Sequence, residues 1–482
     1  MSGPEPRPLP PRIEPPDQDR ACGMEFYLSP SPGVGGRLRD EVEDFQVDEI
    51  SRYPIPDASG RYVVFRIRAL DVEQNTLIAR MTRALGLPPG SIGYAGTKDR
   101  RAITTQLFSL PWPQPGLPSF ELSGVTLLEA YRARDPVTLG ALYGNRFRLR
   151  LRGLREETGP LEPRLHAIEG DLRAHGGFPN LFGPQRFGEA RPMTHWVGKA
   201  LVRGSVEEAV ETYLSWLPAG SPSGSEPFRA AYRETHDTSA ALRAFPPAFT
   251  FERILLEKLE RGRDAVGAFR ALPRGLRTLF VHAYQSFLFN RLLSRRFRAG
   301  LPLHRPVPGD RVQRLAADGL DAGFPTLPVT ADNLAEMERF VSSGRSRVAG
   351  PLVGTDTPEP SGEPGEIFER LLEEEGVTRA DFRLPRTPDL RSKGTFRALL
   401  APLPLVLFPG GQARTQPGPD GTRTVEMTFA LEKGEYATVL LREFQKLGGS
   451  DRGGTEERNA QEPDRASAPC ARSNPGVEDR DA

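Results

Sequence analysis

Cysteine is nearly absent from this 482-residue chain, which carries only Cys22 and Cys470. Both fall in segments that read as mobile, so a disulfide framework and a cysteine-based zinc site are excluded. No run of about 18 apolar residues occurs, and the N-terminus lacks the apolar core of a signal peptide. A soluble protein that stays in the cytoplasm and enters no membrane is therefore expected. HExxH and P-loop spacings are also missing, which removes most of the case for metal and nucleotide chemistry. The two ends lack packing material: residues 1–20 hold seven prolines, and no Leu, Ile, Phe, Tyr or Trp follows Leu447. Both ends are expected to be disordered.

What is present is a polar-leaning globular composition, 38% hydrophobic and 26% charged. The length exceeds one ordinary core, so two domains are expected. Net charge is only +1 but unevenly spread. Residues 448–482 carry eight acids and five bases, net −3, which leaves +4 on the first 447 residues. Seven arginines face one aspartate between Tyr131 and Arg155, and seven arginines with no acid lie between Ala271 and Gly309. Two separate positive segments suit a phosphate backbone, although arginine standing in for lysine gives the same counts.

Alternation marks the strands. In "RYVVFRIRAL" Val63, Phe65, Ile67 and Ala69 share a face, and "TRTVEMTFAL" groups Val425, Met427, Phe429 and Leu431. In "NRFRLRLRGL" Phe147, Leu149 and Leu151 oppose Arg146, Arg148, Arg150 and Arg152, a basic face that meets either RNA or water. A helix with Asn75 as N-cap is expected through Leu77, Ile78, Met81 and Leu85, stopped by Gly86 and Pro88. The middle of the chain is more helical, as in "VGKALVRGSVEEAVETYLSWL" and "RTLFVHAYQSFLFNRLLSRRF", with loops rich in Pro, Gly and Ser. The expected organisation is an N-terminal tail over 1–22, a strand-rich domain over 23–175 and 391–447, an insertion over 176–390, and a C-terminal tail over 448–482.

One stretch concentrates chemistry. "GYAGTKDRRAITTQ" sets Asp99 among Lys98, Arg100 and Arg101, beside Gly93 and Gly96 where the backbone can bend tightly. From the residues alone Asp99 is a structural ion pair, a metal ligand or a nucleophile.

"GYAGTKDRRA" resembles the signature of the TruD family of pseudouridine synthases. Five further blocks match in the same order: "EDFQVDE", "LGALYGNRFRL", "PNLFGPQRFG", "HAYQSFLFN" and "KGEYATVLLRE". The resemblance covers nearly everything except the tails. It implies an α+β fold in which a mixed-sheet pseudouridine synthase catalytic domain is interrupted by an α/β TruD insertion domain. It also implies isomerisation of uridine to pseudouridine in tRNA, at position 13, with no cofactor and no metal. Asp99 takes the catalytic role. Phe45, Asn145, Phe147 and Tyr436 correspond to substrate-binding positions, and Arg39, Lys98 and Arg186 to RNA-binding or catalytic support. Phe147 fits a core position equally well, and "HAYQSFLFN" reads first as core, with His282 a cap or surface histidine. tRNA is the expected partner; no protein partner is evident and a monomer is expected. The rival readings are the same reaction on another RNA and a non-catalytic RNA-binding module of the same fold. An intact Asp99 and Asn145 argue against the module, since binding alone does not require the carboxylate.

Overall fold

The computed structural model describes residues 13–51, 54–98, 101–156, 159–188, 191–217, 226–316 and 325–447. It divides into two compact units: the described parts of Gly36–Glu162 with Pro404–Ala437, and of Met1–Gly35, Pro163–Leu403 and Thr438–Ala468. We call them the sheet unit and the helical unit.

The sheet unit begins with β1 (Arg37–Leu38), β2 (Phe45–Ile50), β3 (Tyr62–Leu70), β4 (Gly93–Tyr94), β5 (Ile103–Pro111), β6 (Val125–Ala133) and β7 (Gly144–Leu154). Strands β8 (Phe178–Pro179), β9 (Arg311–Arg314), β10 (Leu327–Pro328), β11 (Ser346–Leu352), β12 (Thr395–Ala398) and β13 (Leu400–Ala401) belong to the helical unit. The chain then returns to the sheet unit with β14 (Thr415–Pro417) and β15 (Arg423–Glu432). The large sheet runs β14-β15-β7-β2-β5-β3-β6, with β1 on β7 and β4 on β5. It is mixed, because β2 and β5 pair in parallel while their other neighbours are antiparallel. The expected α+β class is what forms.

Period-2 alternation gives this sheet one apolar face. Val63, Phe65, Ile67 and Ala69 of β3 join Phe108 and Leu110 of β5 beneath Leu77 and Met81 of the helix α2 (Gln74–Ala84), which follows α1 (Asp17–Ala21) in chain order. Each of these side chains larger than alanine stabilises the unit by about 1.5–3 kcal/mol on full burial. The α2 N-cap is Glu73, whose carboxylate accepts from the amides of Asn75 (3.0 Å) and Thr76 (2.7 Å), rather than Asn75 itself. A longer side chain does the capping that a shorter one was expected to do. Toward the return strand, Gly144 is fixed by close approach: a Cβ there would lie 2.0 Å from the Leu431 carbonyl oxygen.

In the helical unit, "VGKALVRGSVEEAVETYLSWL" forms two helices, Thr194–Val202 and Val206–Ser215. Gly204 breaks them at φ 83°, and the Ser205 hydroxyl caps the second by accepting from the Glu208 amide. "HAYQSFLFN" lies inside the continuous helix Arg274–Arg298, with His282 on its exposed side. Asn290 of that block is fully buried and saturated: Oδ1 accepts from the Phe182 amide (2.8 Å), and Nδ2 donates to the carbonyls of Cys22 (2.9 Å) and Phe182 (3.0 Å). The block is thus a packing device that also holds "NLFG".

The N-terminal expectation needs one correction. Residues 13–22, read as part of a disordered tail, include the helix Asp17–Ala21 and a fully buried Cys22. A buried ion pair holds the segment: Arg442 Nε donates to Asp19 Oδ2 (2.5 Å), and Arg442 Nη1 donates to the Phe26 carbonyl (2.8 Å). This partner lies more than 400 residues away in sequence, beyond the reach of local composition. Residues 1–12 and 448–482, the remainder of the expected tails, lie outside the described residues. Among the described residues no helix is long and apolar enough to cross a membrane.

Candidate active site

Asp99 and Arg100 lie outside the described residues; the chain on either side is tightly held. Upstream, β4 pairs with β5 (Gly93 with Ser109, Tyr94 with Phe108). Gly93 is required there, since a Cβ would meet the Val137 carbonyl oxygen at 2.4 Å. Ala95 accepts from the Gly140 amide (2.7 Å). Lys98 is then fixed twice: its amide donates to Gln74 Oε1 (2.8 Å), and its ammonium donates to Glu49 Oε2 (2.9 Å). The Lys98 and Glu49 side chains are 6% and 1% exposed, so this is a buried ion pair. Downstream, Arg101 Nη2 donates to the Asp40 carbonyl (3.0 Å), Ala102 accepts from the Asp71 amide, and β5 begins. Lys98, named from sequence as a possible support, is therefore committed to Glu49 and the loop.

The sheet face that holds Glu49 is built by register. Antiparallel pairing sets Phe45 opposite Leu149, Val47 opposite Phe147 and Glu49 opposite Asn145; β15 continues the face with Phe429 opposite Phe147 and Leu431 opposite Asn145. Phe45 and Phe147 are 2% and 7% exposed, with ring centres 6.2 Å apart, and Phe147 also packs on Phe429 at 5.6 Å. Both rings are thus core members as the structure stands. Asn145 is half-buried, and its Oδ1 has no hydrogen-bond partner among the described residues.

Arg39 has its guanidinium carbon 4.1 Å from the Phe45 ring centre, a cation–π contact. Its φ of 65° is a left-handed conformation that costs a non-glycine residue on the order of 1–3 kcal/mol, a strain typical of functional sites. Arg39, Phe45, Lys98, Asn145, Phe147 and Tyr436 all belong to the sheet unit, with Tyr436 half-exposed just ahead of the helix Ala437–Gln445. Arg186 belongs to the helical unit, its guanidinium carbon 5.4 Å from the Phe182 ring centre.

The opposite face of β7 is less basic than its sequence. Arg148 and Arg150 share Glu426 of β15 (3.6 and 3.3 Å), and Arg146 stands opposite Asp48 of β2. Arg152 grips the fully buried Asp44 with a forked hydrogen bond of 2.7–2.9 Å, while Asp44 also accepts from the Glu41 amide. That pair holds the Arg152 guanidinium above its ordinary pKa. In "EDF", then, Asp44 serves the fold.

Sequence reasoning missed Glu49 and Gln106. The signal was there: alternation in "FQVDEI" puts Glu49 in register with Phe45 and Val47, and "ITTQLF" puts Gln106 in register with Phe108. A charge and an amide in apolar register call for partners.

Known proteins resemble this chain over nearly its whole length. The family profile described as tRNA pseudouridine synthase D (TruD) matches residues 21–444. A Methanococcoides burtonii protein named "Probable tRNA pseudouridine synthase D" is 35% identical over 434 residues, covering 90% of this chain and 98% of its own. A Halobacterium salinarum protein of the same name is 38% identical over 447 residues, covering 89% and 97%. The crystal structure of a Methanosarcina mazei TruD superposes with a TM-score of 0.76 at 33% identity, covering 91% of this chain and all of that one. With a family profile and full-length relatives of this similarity, the chain belongs to the tRNA pseudouridine synthase D (TruD) family.

Proposed function

We propose that this protein isomerises uridine to pseudouridine in tRNA, at position 13, as a cytoplasmic monomer that uses Asp99 and no cofactor. In this reaction the bond from the sugar carbon C1′ to N1 breaks and a bond from C1′ to C5 forms. C5 gives up a proton and N1 gains one, so nothing is oxidised or consumed. A carboxylate suits the step because it can attack or stabilise the electron-poor sugar carbon, or take a proton from it.

The observation that carries the reading is the fixation of the chain on both sides of Asp99, beside a sheet face whose apolar surface is interrupted by amides with open hydrogen-bonding capacity. A target uridine must leave its stack to react, and the face offers what it loses. Phe45, Phe147 and Tyr436 form the aromatic wall, Asn145 meets the base edge, and Arg39 lies against Phe45 as a cation for phosphate or for Asp99. Arg186 is assigned to RNA phosphate.

Mapping pseudouridine across total RNA from cells with and without the gene tests the assignment. A signal at tRNA position 13 that disappears with the gene is expected. Loss of a signal in another RNA instead moves the same reaction to that target, and an unchanged map leaves the non-catalytic RNA-binding module.

A further inference from the structure

Gln106 sits within β5 and is 4% exposed, yet neither its amide nitrogen nor its amide oxygen has a hydrogen-bond partner among the described residues. Leaving both ends of a buried amide unpaired is destabilising, and an apolar side chain of the same size would cost the fold nothing. Three other buried polar groups of this unit are satisfied: Ser109 Oγ accepts from the Val137 amide (2.7 Å), Gln74 Oε1 accepts from Lys98, and Asp44 is held by Arg152. Trp112 Nε1 and Asn145 Oδ1 also lack a partner among the described residues, but Gln106 lacks one at both of its polar atoms, and that asks for a ligand.

Its position says which ligand. The parallel register of β2 and β5 sets Val47 beside Thr104 and Asp48 beside Thr105, so the next step along both strands sets Glu49 beside Gln106. Glu49 in turn stands opposite Asn145. Three adjacent strands therefore place Asn145, Glu49 and Gln106 in one polar row across the face, directly beyond the row of Phe147, Val47 and Thr104. Glu49 is occupied by Lys98 and by the Ser51 hydroxyl (2.7 Å), whereas the amides on either side of it keep open positions.

We propose that Gln106, together with Asn145, reads the imide edge of the target uracil and keeps hold of it while the base turns. This rests on the uridine-isomerase reading above. That edge presents O2, N3–H and O4, an acceptor, a donor and an acceptor. Replacing N1 by C5 at the sugar carbon amounts to a half-turn of the base about the line through N3 and C6. The half-turn exchanges O2 with O4 and leaves N3–H in place, so the edge has the same pattern before and after. Two primary amides flanking it supply a donor for each carbonyl, and an amide oxygen accepts from N3–H. The detached base keeps its hydrogen bonds in both orientations. Cytosine, with a lone pair at N3 and an amino group in place of O4, mismatches the same set, so Gln106 is a specificity-determining residue as well as a holding one.

The test compares the parent protein with Gln106→Met on tRNA transcripts carrying C5-tritiated uridine, following tritium release, thermal melting and filter binding. Gln106→Leu repeats the comparison with another apolar shape, which separates a packing defect from loss of the amide. The variant should melt at or above the parent temperature, bind RNA within about twofold, and lose roughly 10- to 100-fold in kcat/KM. Transcripts bearing 2-thiouridine or 4-thiouridine at the target supply the second readout. The parent should lose activity on at least one of them, and the variant should lose distinctly less, because its contact is already gone. A variant that turns over within twofold of the parent, or that loses the same factor on both thio-substituted transcripts, overturns the assignment. A parent that releases no tritium from any tRNA overturns the isomerase reading itself, a different failure.

Discussion

Two buried polar clusters, one in each unit, are completed differently. In the helical unit Arg296 forks onto both oxygens of Asp310 (2.5 and 2.8 Å) and reaches the Pro302 carbonyl, while Asp310 also accepts from the Val307 amide. Asn290 likewise spends its amide on three backbone partners. In the sheet unit the Asn145–Glu49–Gln106 row is saturated only at its centre. Buried polar groups of the first kind specify a fold; those of the second kind are held ready for something that arrives. The contrast holds between these two clusters and not between the whole units, since Arg164 Nε and Nη1 of the helical unit are also buried without a hydrogen-bond partner among the described residues.

The centre of that row is the place to break the contrast hardest. Lys98→Met leaves Glu49 as an uncompensated buried charge and should lower protection of β2 and β5 amides from hydrogen exchange by about 3–5 kcal/mol. Adding Glu49→Leu should recover most of the loss; equal, additive losses would mean that the two side chains do not depend on each other. In the helical unit the sharpest probe is His195, which is fully buried and stacks on Phe287 at 4.8 Å. Burial holds its pKa down at about 3, so the folded state keeps it neutral where the unfolded state takes up a proton. Its stabilisation is complete above about pH 6.5 and is lost as pH falls toward 3, on the order of 2 kcal/mol by pH 5. His195→Phe should flatten melting temperature against pH over that window relative to the parent, and parallel curves would refute the point. The smallest effect is expected on the outer face of β7. Because Glu426 already occupies Arg148 and Arg150, Glu426→Gln should tighten RNA binding and steepen the log-log salt dependence by about 0.7 to 0.9. No change in slope would mean that this face does not meet RNA.

Much of this was legible because alternation is local. The strands β3, β7 and β15 and the apolar face of each followed from period-2 spacing alone. Boundaries set by long-range contact did not. The helix at Asp17–Ala21 depends on Arg442, the capping of α2 on the reach of Glu73, and the neutralised face of β7 on Glu426 from a strand that arrives after the whole helical unit. At the site, Asn145 and the aromatic positions came from resemblance. Gln106 was present in the alternation but unremarkable there, because an amide among apolar residues announces itself only when its partners can be counted. Phe147 shows the converse: core and substrate readings were both open in sequence, and its packing between Phe45 and Phe429 gives it a structural share whatever it does for RNA.

The central claim is that the loop fixed by Lys98 and Arg101 presents a catalytic carboxylate, and Asp99→Asn tests it most directly. The substitution keeps the size and hydrogen-bonding ability of the side chain, so melting temperature and filter binding of tRNA should stay within about 1 kcal/mol of the parent. Tritium release from C5-labelled uridine in the same tRNA should vanish, because a neutral amide cannot serve as nucleophile, base or charge stabiliser at the sugar carbon. Turnover above about a tenth of the parent rate, a barrier change of only about 1.4 kcal/mol, would contradict the account. Unfolding of the variant would return Asp99 to the role of a structural ion-pair partner.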